Sequence, residues 1–142
     1  MANRPGEEDV AWLLSRAAHQ VNQRLCATLE AEGLALGQWW VLGLLSDGTG
    51  HGMGEAAHYA MVPAPTLTKA VNQLVAANLV YRRADRHDRR RVLIHMTARG
   101  RRLHSRLAGK LGSDAGLLGD VLDDADVGQL TQLLLGVLRR MR

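Results

Sequence analysis

The segment from Thr66 to Met96 constrains the fold of this chain most, because its apolar period changes there from helical to extended. Apolar residues recur every three or four positions over Thr66–Ala77, which predicts a helix. Two strands are then predicted, Leu79–Ala84 and Arg91–Met96, and the second alternates apolar with polar residues. A helix that leads directly into a hairpin predicts a mostly α-helical fold with a small β-wing.

Three further helices are predicted before this segment: Glu7–Glu32, Gln38–Ser46 and Met53–Ala60. Gly33 favours a C-cap of the first helix, and the three glycines of Asp47–Gly52 indicate a turn. Met61–Pro65 contains two prolines, of which Pro65 fits the first turn of the Thr66 helix. Asn78 tolerates left-handed backbone and ends that helix. Together these elements predict a winged helix-turn-helix.

Two helices are predicted after the hairpin. Thr97 is the expected N-cap of the first, and its apolar stripe is expected to continue to Leu118 or Val121. Asp123 is the expected N-cap of the second, whose apolar residues step by three and four, as in paired helices. The long first helix and these two helices are more apolar than one small core requires. We therefore expect a second copy of the chain to cover them.

The charge of the chain is concentrated in one segment. Lys69–Lys110 contains 12 of the 18 basic residues and two acidic residues, so its net charge is +10, against −6 for the remainder. This separation favours a polyanionic partner, of which double-stranded DNA is one example. A solvated, arginine-rich surface is the alternative.

The fourth predicted helix carries short polar groups and one cation on its second face: Thr66, Thr68, Lys69, Asn72 and Gln73. These are donor and acceptor groups that read base edges and phosphates, whereas an ordinary solvated helix carries long Glu and Lys pairs. The hairpin tip, Asp85–Arg90, contains three arginines and suits a narrow anionic groove. A plain surface helix is the alternative for the first feature.

Other classes of protein are disfavoured by the sequence. The 142 residues correspond to a single domain over 1–142, and no apolar run is long enough to span a membrane. The polar N-terminus gives no signal peptide, so we expect a cytoplasmic protein. We find no glycine-rich phosphate loop, nucleophile motif or histidine pair with zinc spacing, and therefore expect no enzyme, cofactor or metal site. Cys26 is expected to be an inert thiol, with a redox switch as the alternative.

The residues above resemble the MarR family of bacterial transcription regulators along nearly the whole chain. Asp85–Gly100 is similar to the family's wing signature, an Asp-x-Arg tip followed by a strand that ends in Thr-x-x-Gly. Thr66–Leu74 resembles its recognition helix, and Asn78–Val80 the link into the wing. Asn78 and Met61 stand where the family commonly has glycine.

The resemblance implies a homodimer that binds a pseudo-palindromic operator, most often as a repressor. About 7–32 and 97–142 would be dimerisation helices, and about 36–96 the DNA-binding lobe. The recognition helix would enter the major groove, with its contacts from Pro65, Thr66, Thr68, Lys69, Asn72 and Gln73. Arg90 would enter the minor groove, Arg86 and Arg89 would bind phosphates, and Asp88 would orient a neighbouring arginine.

Family members often bind a small aromatic or phenolic effector, which releases them from DNA. Arg16 follows Trp12 by four residues, so the two share a helix face and could clamp a carboxylate beside an aromatic ring. The full set of candidates for an effector site is Trp12, Arg16, His19, Trp39, Trp40, His51 and His58. The alternatives are that the tryptophans are core residues, that the regulator has no ligand, or that the protein is a non-specific architectural DNA binder.

Overall fold

A computed structural model describes residues 7–111 and 116–141 of the chain. Its helices are α1 (Val10–Glu30), α2 (Leu36–Leu45), α3 (Met53–Ala60), α4 (Ala64–Ala76), α5 (Ala98–Leu111) and α6 (Asp124–Arg140). Its strands are β1 (His51–Gly52), β2 (Val80–Ala84) and β3 (Val92–Met96). The chain divides into two compact units, Met1–Ser105 and Arg106–Arg142. The predicted class, mainly helical with a small wing, is confirmed.

The wing is an antiparallel sheet in the order β1-β3-β2. The predicted hairpin pairs Val80 with Met96 at its base and Ala84 with Val92 near its tip. One prediction was wrong, because Asp47–Gly52 is not all turn: its last two residues form β1, in which His51 pairs with Ile94. A strand of two residues is too short to show an alternation of apolar and polar residues. It is recognised only from its pairing with β3.

The core of the first unit lies between the helices of the lobe and the base of the wing. Each of α1, α2, α3, α4, β2 and β3 contributes fully buried apolar side chains. On α4 the buried positions are Leu67, Val71 and Leu74, which is the apolar face that the helical period predicts. Because one face of α4 is anchored in this way, its other face is presented to solvent.

Two residues other than glycine adopt left-handed backbone within the described ranges, and both are turn residues. Asn78, with φ of 59°, ends α4 as predicted, and Met61, with φ of 58°, ends α3. Met61 therefore takes the conformation that glycine adopts without strain. The predicted glycine cap of α1 is also found, since Gly33 has φ of 69°. Pro65 lies in the first turn of α4, which begins two residues earlier than predicted.

Side-chain caps of three helices are seen as hydrogen bonds, and those at Thr97 and Asp123 were predicted from the sequence. Asp9 caps α1 and accepts from the backbone N–H of Ala11 at 2.9 Å, so this helix begins at Val10 and not at Glu7. The hydroxyl of Thr97 accepts from the N–H of Gly100 at 2.9 Å at the start of α5. Asp123 accepts from the N–H of Asp126 at 2.8 Å at the start of α6.

The expected continuation of α5 to Leu118 or Val121 was wrong. Both residues lie in a turn segment over 116–121, which precedes α6. Gly116 and Gly119 fall in this segment, and each lowers helix stability by up to about 1 kcal/mol relative to alanine. Gly112 lies outside the described residues. Among the helices that the structure describes, none has the length and apolar character needed to cross a membrane.

Candidate nucleic-acid interface

The solvent-facing side of α4 carries the residues that the sequence singled out for DNA contacts. Pro65, Thr66, Thr68, Lys69, Asn72 and Gln73 are all exposed. The hydroxyl of Thr68 donates to the carbonyl of Ala64 at 3.0 Å, one turn back on the same helix. With Leu67, Val71 and Leu74 buried beneath them, these polar groups are held on one rigid helix face.

Two of these side chains are held by residues from other elements. Gln73 accepts from the side-chain amide of Gln38 on α2 through its Oε1, at 2.9 Å. Asn72 accepts from the guanidinium of Arg82 on β2 through its Oδ1. The first contact lines a cleft of about 280 Å³, whose wall also includes Thr66 and Lys69. The amides of α4 are therefore connected to α2 on one side and to the wing on the other.

The wing tip is folded by its two aspartates. Asp85 accepts from the backbone N–H of His87 at 3.0 Å, and Asp88 accepts from the backbone N–H of Arg90 at 3.1 Å. The contact of Asp88 with a neighbouring arginine is thus to the main chain and not to a guanidinium. Two backbone hydrogen bonds of 2.9 Å close the tip. The N–H of Asp85 donates to the carbonyl of Arg91, and the N–H of Arg91 donates to the carbonyl of Asp88.

The arginines of the tip remain available to an external anion. Arg86, Arg89 and Arg90 are exposed, and none of them forms an ion pair with any residue in the described ranges. The two acidic residues that could neutralise them are turned to backbone N–H groups instead. The tip therefore presents three guanidinium groups that form no ion pair among the described residues, on a short, ordered loop.

Two of the proposed effector-binding residues are engaged in structural contacts. Trp39 is only 6% exposed and stacks on His104, with ring centroids 4.9 Å apart. Burial lowers the pKa of His104 below its ordinary value, so this stack is neutral near pH 7. Trp39 is a core residue, as the alternative interpretation of the tryptophans holds.

His51 is held between two carboxylates beside the wing. Its Nε2 lies 2.8 Å from Asp47 Oδ2, and its Nδ1 lies 2.9 Å from Glu55 Oε1. Burial alone lowers the pKa of His51, but the hydrogen bonds to Glu55 and Asp47 outweigh it and raise the pKa above its ordinary value. Hydrogen bonds from the backbone of Thr49 and then from His51 lower the pKa of Asp47. His51 therefore joins β1 to the loop before it and to the first turn of α3.

The other effector candidates are accessible. Trp12, Arg16 and His19 lie exposed along α1, His58 is exposed on α3, and Trp40 is half-buried on α2. Neither of the two clefts we describe, one beside α4 and one beside the wing tip, is lined by any of these candidates. Cys26 is half-buried and forms no disulfide, and the described residues contain no cluster of metal-binding side chains.

Two residues of this surface, Gln38 and Arg82, were not predicted from the sequence. Gln38 is 5% exposed, and the sequence alone places it only at the start of a helix. A buried side-chain amide needs hydrogen-bond partners, and in this fold residues of α4 supply two of them. Arg82 lies within a predicted strand, but its hydrogen bond to Asn72 depends on how β2 packs against α4.

Comparison with known proteins identifies the same architecture. Residues 32–91 match the sequence profile of the MarR family. The transcriptional activatory protein BadR of Rhodopseudomonas palustris is 33% identical over 124 residues, which cover 85% of this chain and 70% of BadR. The crystal structure of wild-type MarR from E. coli in its apo form superposes with a TM-score of 0.76, at 23% identity, over 91% of this chain and 96% of that one.

A second similar structure is that of NadR in complex with 4-hydroxyphenylacetate. Its TM-score is 0.77 at 23% identity, over 96% of this chain and 97% of NadR. The wing motif, the folded wing, the family profile and the BadR relationship all agree. The chain belongs to the MarR family of DNA-binding transcription regulators, which are not enzymes.

Proposed function

We propose that this protein is a sequence-specific regulator that binds a pseudo-palindromic operator as a homodimer. In this proposal α4 is the recognition helix and enters the major groove, while the wing tip enters the adjacent minor groove. The observation that carries the proposal is that an exposed polar face on α4 and three exposed arginines on the wing belong to one compact unit. Base-reading groups and phosphate-binding cations are thus carried by the same lobe.

The dimer is supported by apolar surface that a single chain leaves exposed. On α6 no residue is buried, and six large apolar side chains are at least one-third exposed, as is Met141 at the C-cap: Leu130, Leu133, Leu134, Leu135, Val137 and Leu138. On α1 the exposed apolar side chains are Val10, Trp12, Leu13 and Leu14. Many large apolar side chains exposed on one helix mark an interface with another protein. A second copy of the chain supplies the same helices to cover it.

The dimer is tested by sedimentation equilibrium of the full chain and of two α6 variants. Leu138 is 68% exposed, so Leu138→Glu leaves the single chain intact but puts a charge into the proposed interface. Gln132→Glu adds the same charge at an exposed polar position of the same helix and is the control. We expect dimers for the wild type and the control and monomers for Leu138→Glu. A wild-type chain that is monomeric at micromolar concentration would refute the proposal.

The minor-groove role of the wing is tested with Arg90→Ala. Removing this arginine is expected to weaken DNA binding by about tenfold or more without changing the oligomeric state. Arg102→Ala removes the same charge from an exposed position on α5 and serves as the control. Fluorescence anisotropy titrations at one fixed salt concentration measure both variants, because binding to phosphates varies steeply with salt. Equal affinities of Arg90→Ala and the wild type would contradict the assignment of the wing.

Repression is our proposal for the direction of regulation, and the name of BadR gives activation as the second candidate. The two differ in where the operator lies relative to the promoter and not in the geometry of the lobe. A reporter fusion to the regulated promoter, with and without the protein, decides between them. Higher expression in the absence of the protein supports repression, and lower expression supports activation.

We also propose that a small aromatic or phenolic acid releases the protein from DNA. NadR is described in complex with 4-hydroxyphenylacetate, and the exposed Trp12, Arg16 and His19 supply aromatic and cationic groups on one helix. Titration of the protein–DNA complex with 4-hydroxyphenylacetate and benzoate tests the proposal. Release of DNA by either acid, reduced in Arg16→Ala, supports it. No release by either leaves a regulator without an effector of this class.

A further inference from the structure

We propose that Gln38 and Arg82 fix the side-chain amides of Gln73 and Asn72 so that both present their NH2 groups to the DNA. The recognition helix then reads hydrogen-bond acceptors at these two positions and selects guanine over adenine. This inference rests on the proposed function, because it takes α4 as the helix in the major groove. Gln38 and Arg82 act as positioning residues, because they set which base can pair with the NH2 groups of Gln73 and Asn72.

The orientation of Gln73 follows from an unambiguous donor on the backbone. The N–H of Ala35 donates to Gln38 at 2.9 Å, so the atom that accepts it must be the Oε1 of Gln38. The other branch of this amide is therefore its Nε2, which donates to Gln73 at 2.9 Å and to the carbonyl of Ala70 at 3.4 Å. An NH2 group needs an acceptor opposite it, so Gln73 must turn its Oε1 toward Gln38.

The orientation of Asn72 follows in the same way from Arg82. A guanidinium carries donors only, so the atom of Asn72 that it contacts must be Oδ1. The two amides are therefore fixed by donors from different elements, Gln73 by α2 and Asn72 by β2. Each of these chains of hydrogen bonds starts from a group that can only donate, the N–H of Ala35 or the guanidinium of Arg82, so the orientation of each amide is unique.

This orientation decides which base edges the helix can read. Adenine is read when an Asn or Gln places its oxygen and its NH2 group side by side, on the N6 and N7 atoms of the base. In this protein each oxygen is turned aside to its protein donor, so the NH2 branch is left for the base. Guanine presents two adjacent acceptors, N7 and O6, to such a donor, whereas adenine presents N7 next to its own N6 donor.

The two positioning residues differ in how firmly they hold the amide. Gln38 is 5% exposed and makes three hydrogen bonds, so the orientation of Gln73 is set before DNA arrives. Arg82 is exposed and makes one hydrogen bond to Asn72. The preference at the base read by Gln73 should therefore be the stronger of the two.

The test is selection of binding sites from a pool of random-sequence DNA duplexes. The wild type, Gln73→Ala and Asn72→Ala are compared first, and the positions at which each alanine variant loses its preference are the positions that the two amides read. The wild type is expected to select G·C pairs there, by about fivefold to tenfold over A·T, the effect of one hydrogen bond. Selection of A·T pairs at those positions would overturn the inference.

Gln38→Met and Arg82→Met then test the positioning roles, each as the control for the other. Gln38→Met is expected to make G·C and A·T equally acceptable at the Gln73 position and to leave the Asn72 position unchanged, whereas Arg82→Met should do the reverse. Loss of both preferences in each variant, or of neither, would contradict the roles. Arg82 is exposed, so its variant keeps the test valid even if Gln38→Met is unstable.

The same selection experiment separates an error in the orientation of the amides from an error in the DNA-binding role of α4. If Gln73→Ala and Asn72→Ala weaken binding to all sequences equally, the amides bind phosphates and base reading by α4 is wrong. If the variants relax particular positions but the wild type selects A·T there, α4 reads bases and only the orientation of the amides is wrong.

Discussion

Replacing Gly100 by alanine tests how closely the base of the wing is packed against α5. A Cβ at Gly100 would lie 2.2 Å from the carbonyl oxygen of Leu79 and 2.8 Å from Cγ of Met96. The Leu79 oxygen is not free to move, because it accepts from the backbone N–H of Thr97 at 3.0 Å. The hydroxyl of Thr97 also donates to the carbonyl of Asn78 at 2.7 Å. An added methyl group must therefore displace backbone that two hydrogen bonds hold in place.

The expected loss of stability follows from this contact. Overpacking of a well-packed site costs about 1–3 kcal/mol, and a rigid backbone atom as the obstacle favours the upper end, near about 3 kcal/mol. That is a large part of the roughly 5–15 kcal/mol by which a domain of this size is stable. Gly109 lies in the same helix, and a Cβ there would have nothing within 4 Å. Gly109→Ala should therefore stabilise the protein, by up to about 1 kcal/mol.

Urea unfolding monitored by far-ultraviolet circular dichroism measures both effects. The wild type and the two variants are compared at one protein concentration, because dimerisation makes the apparent stability depend on concentration. The midpoint of unfolding should fall for Gly100→Ala and rise slightly for Gly109→Ala. If Gly100→Ala unfolds at the same urea concentration as the wild type or higher, the close approach of α5 to the wing is refuted.

Two further predictions concern a turn and a half-buried histidine. Met61 is 76% exposed and has left-handed backbone. Met61→Gly should therefore relieve strain without loss of packing and raise stability by up to about 1 kcal/mol. Thermal melts measure this effect, and a lower melting temperature of the variant would argue against it. Because burial lowers the pKa of His104 from 6.5, its contribution to stability is present above pH 6.5 and lost as the pH falls through the lowered value. His104→Phe, which keeps an aromatic ring on Trp39, should lose less stability than the wild type between about pH 7 and pH 5 in urea titrations, and parallel profiles would contradict this.

Much of the fold is predictable from the sequence because the strongest signals are local. The apolar period locates each helix, the alternation in Val92–Met96 locates a strand, and side-chain oxygens locate the caps at Thr97 and Asp123. The errors arose where a local pattern was absent or misleading. Strand β1 is too short to show a period, and the apolar residues Leu118 and Val121 continue a helical spacing although glycines interrupt the helix.

The site residues were predictable by type and less so by arrangement. The exposed polar face of α4 and the arginines of the tip follow from composition and period. The contacts of Gln38 with Gln73 and of Arg82 with Asn72 join residues on different elements, so no local pattern encodes them. The same is true of Trp39 and His51, which look like binding residues in the sequence but are buried by tertiary packing.

Sequence-specific regulation is tested by binding of the purified protein to genomic DNA fragments that it selects itself, measured by fluorescence anisotropy against excess random DNA. We expect the selected fragments to share a pseudo-palindromic sequence, the binding to survive the competitor, and two chains to bind each site. Fragments that share no sequence, with binding that random DNA removes in proportion to its amount, would contradict sequence-specific regulation and indicate an architectural DNA-binding protein.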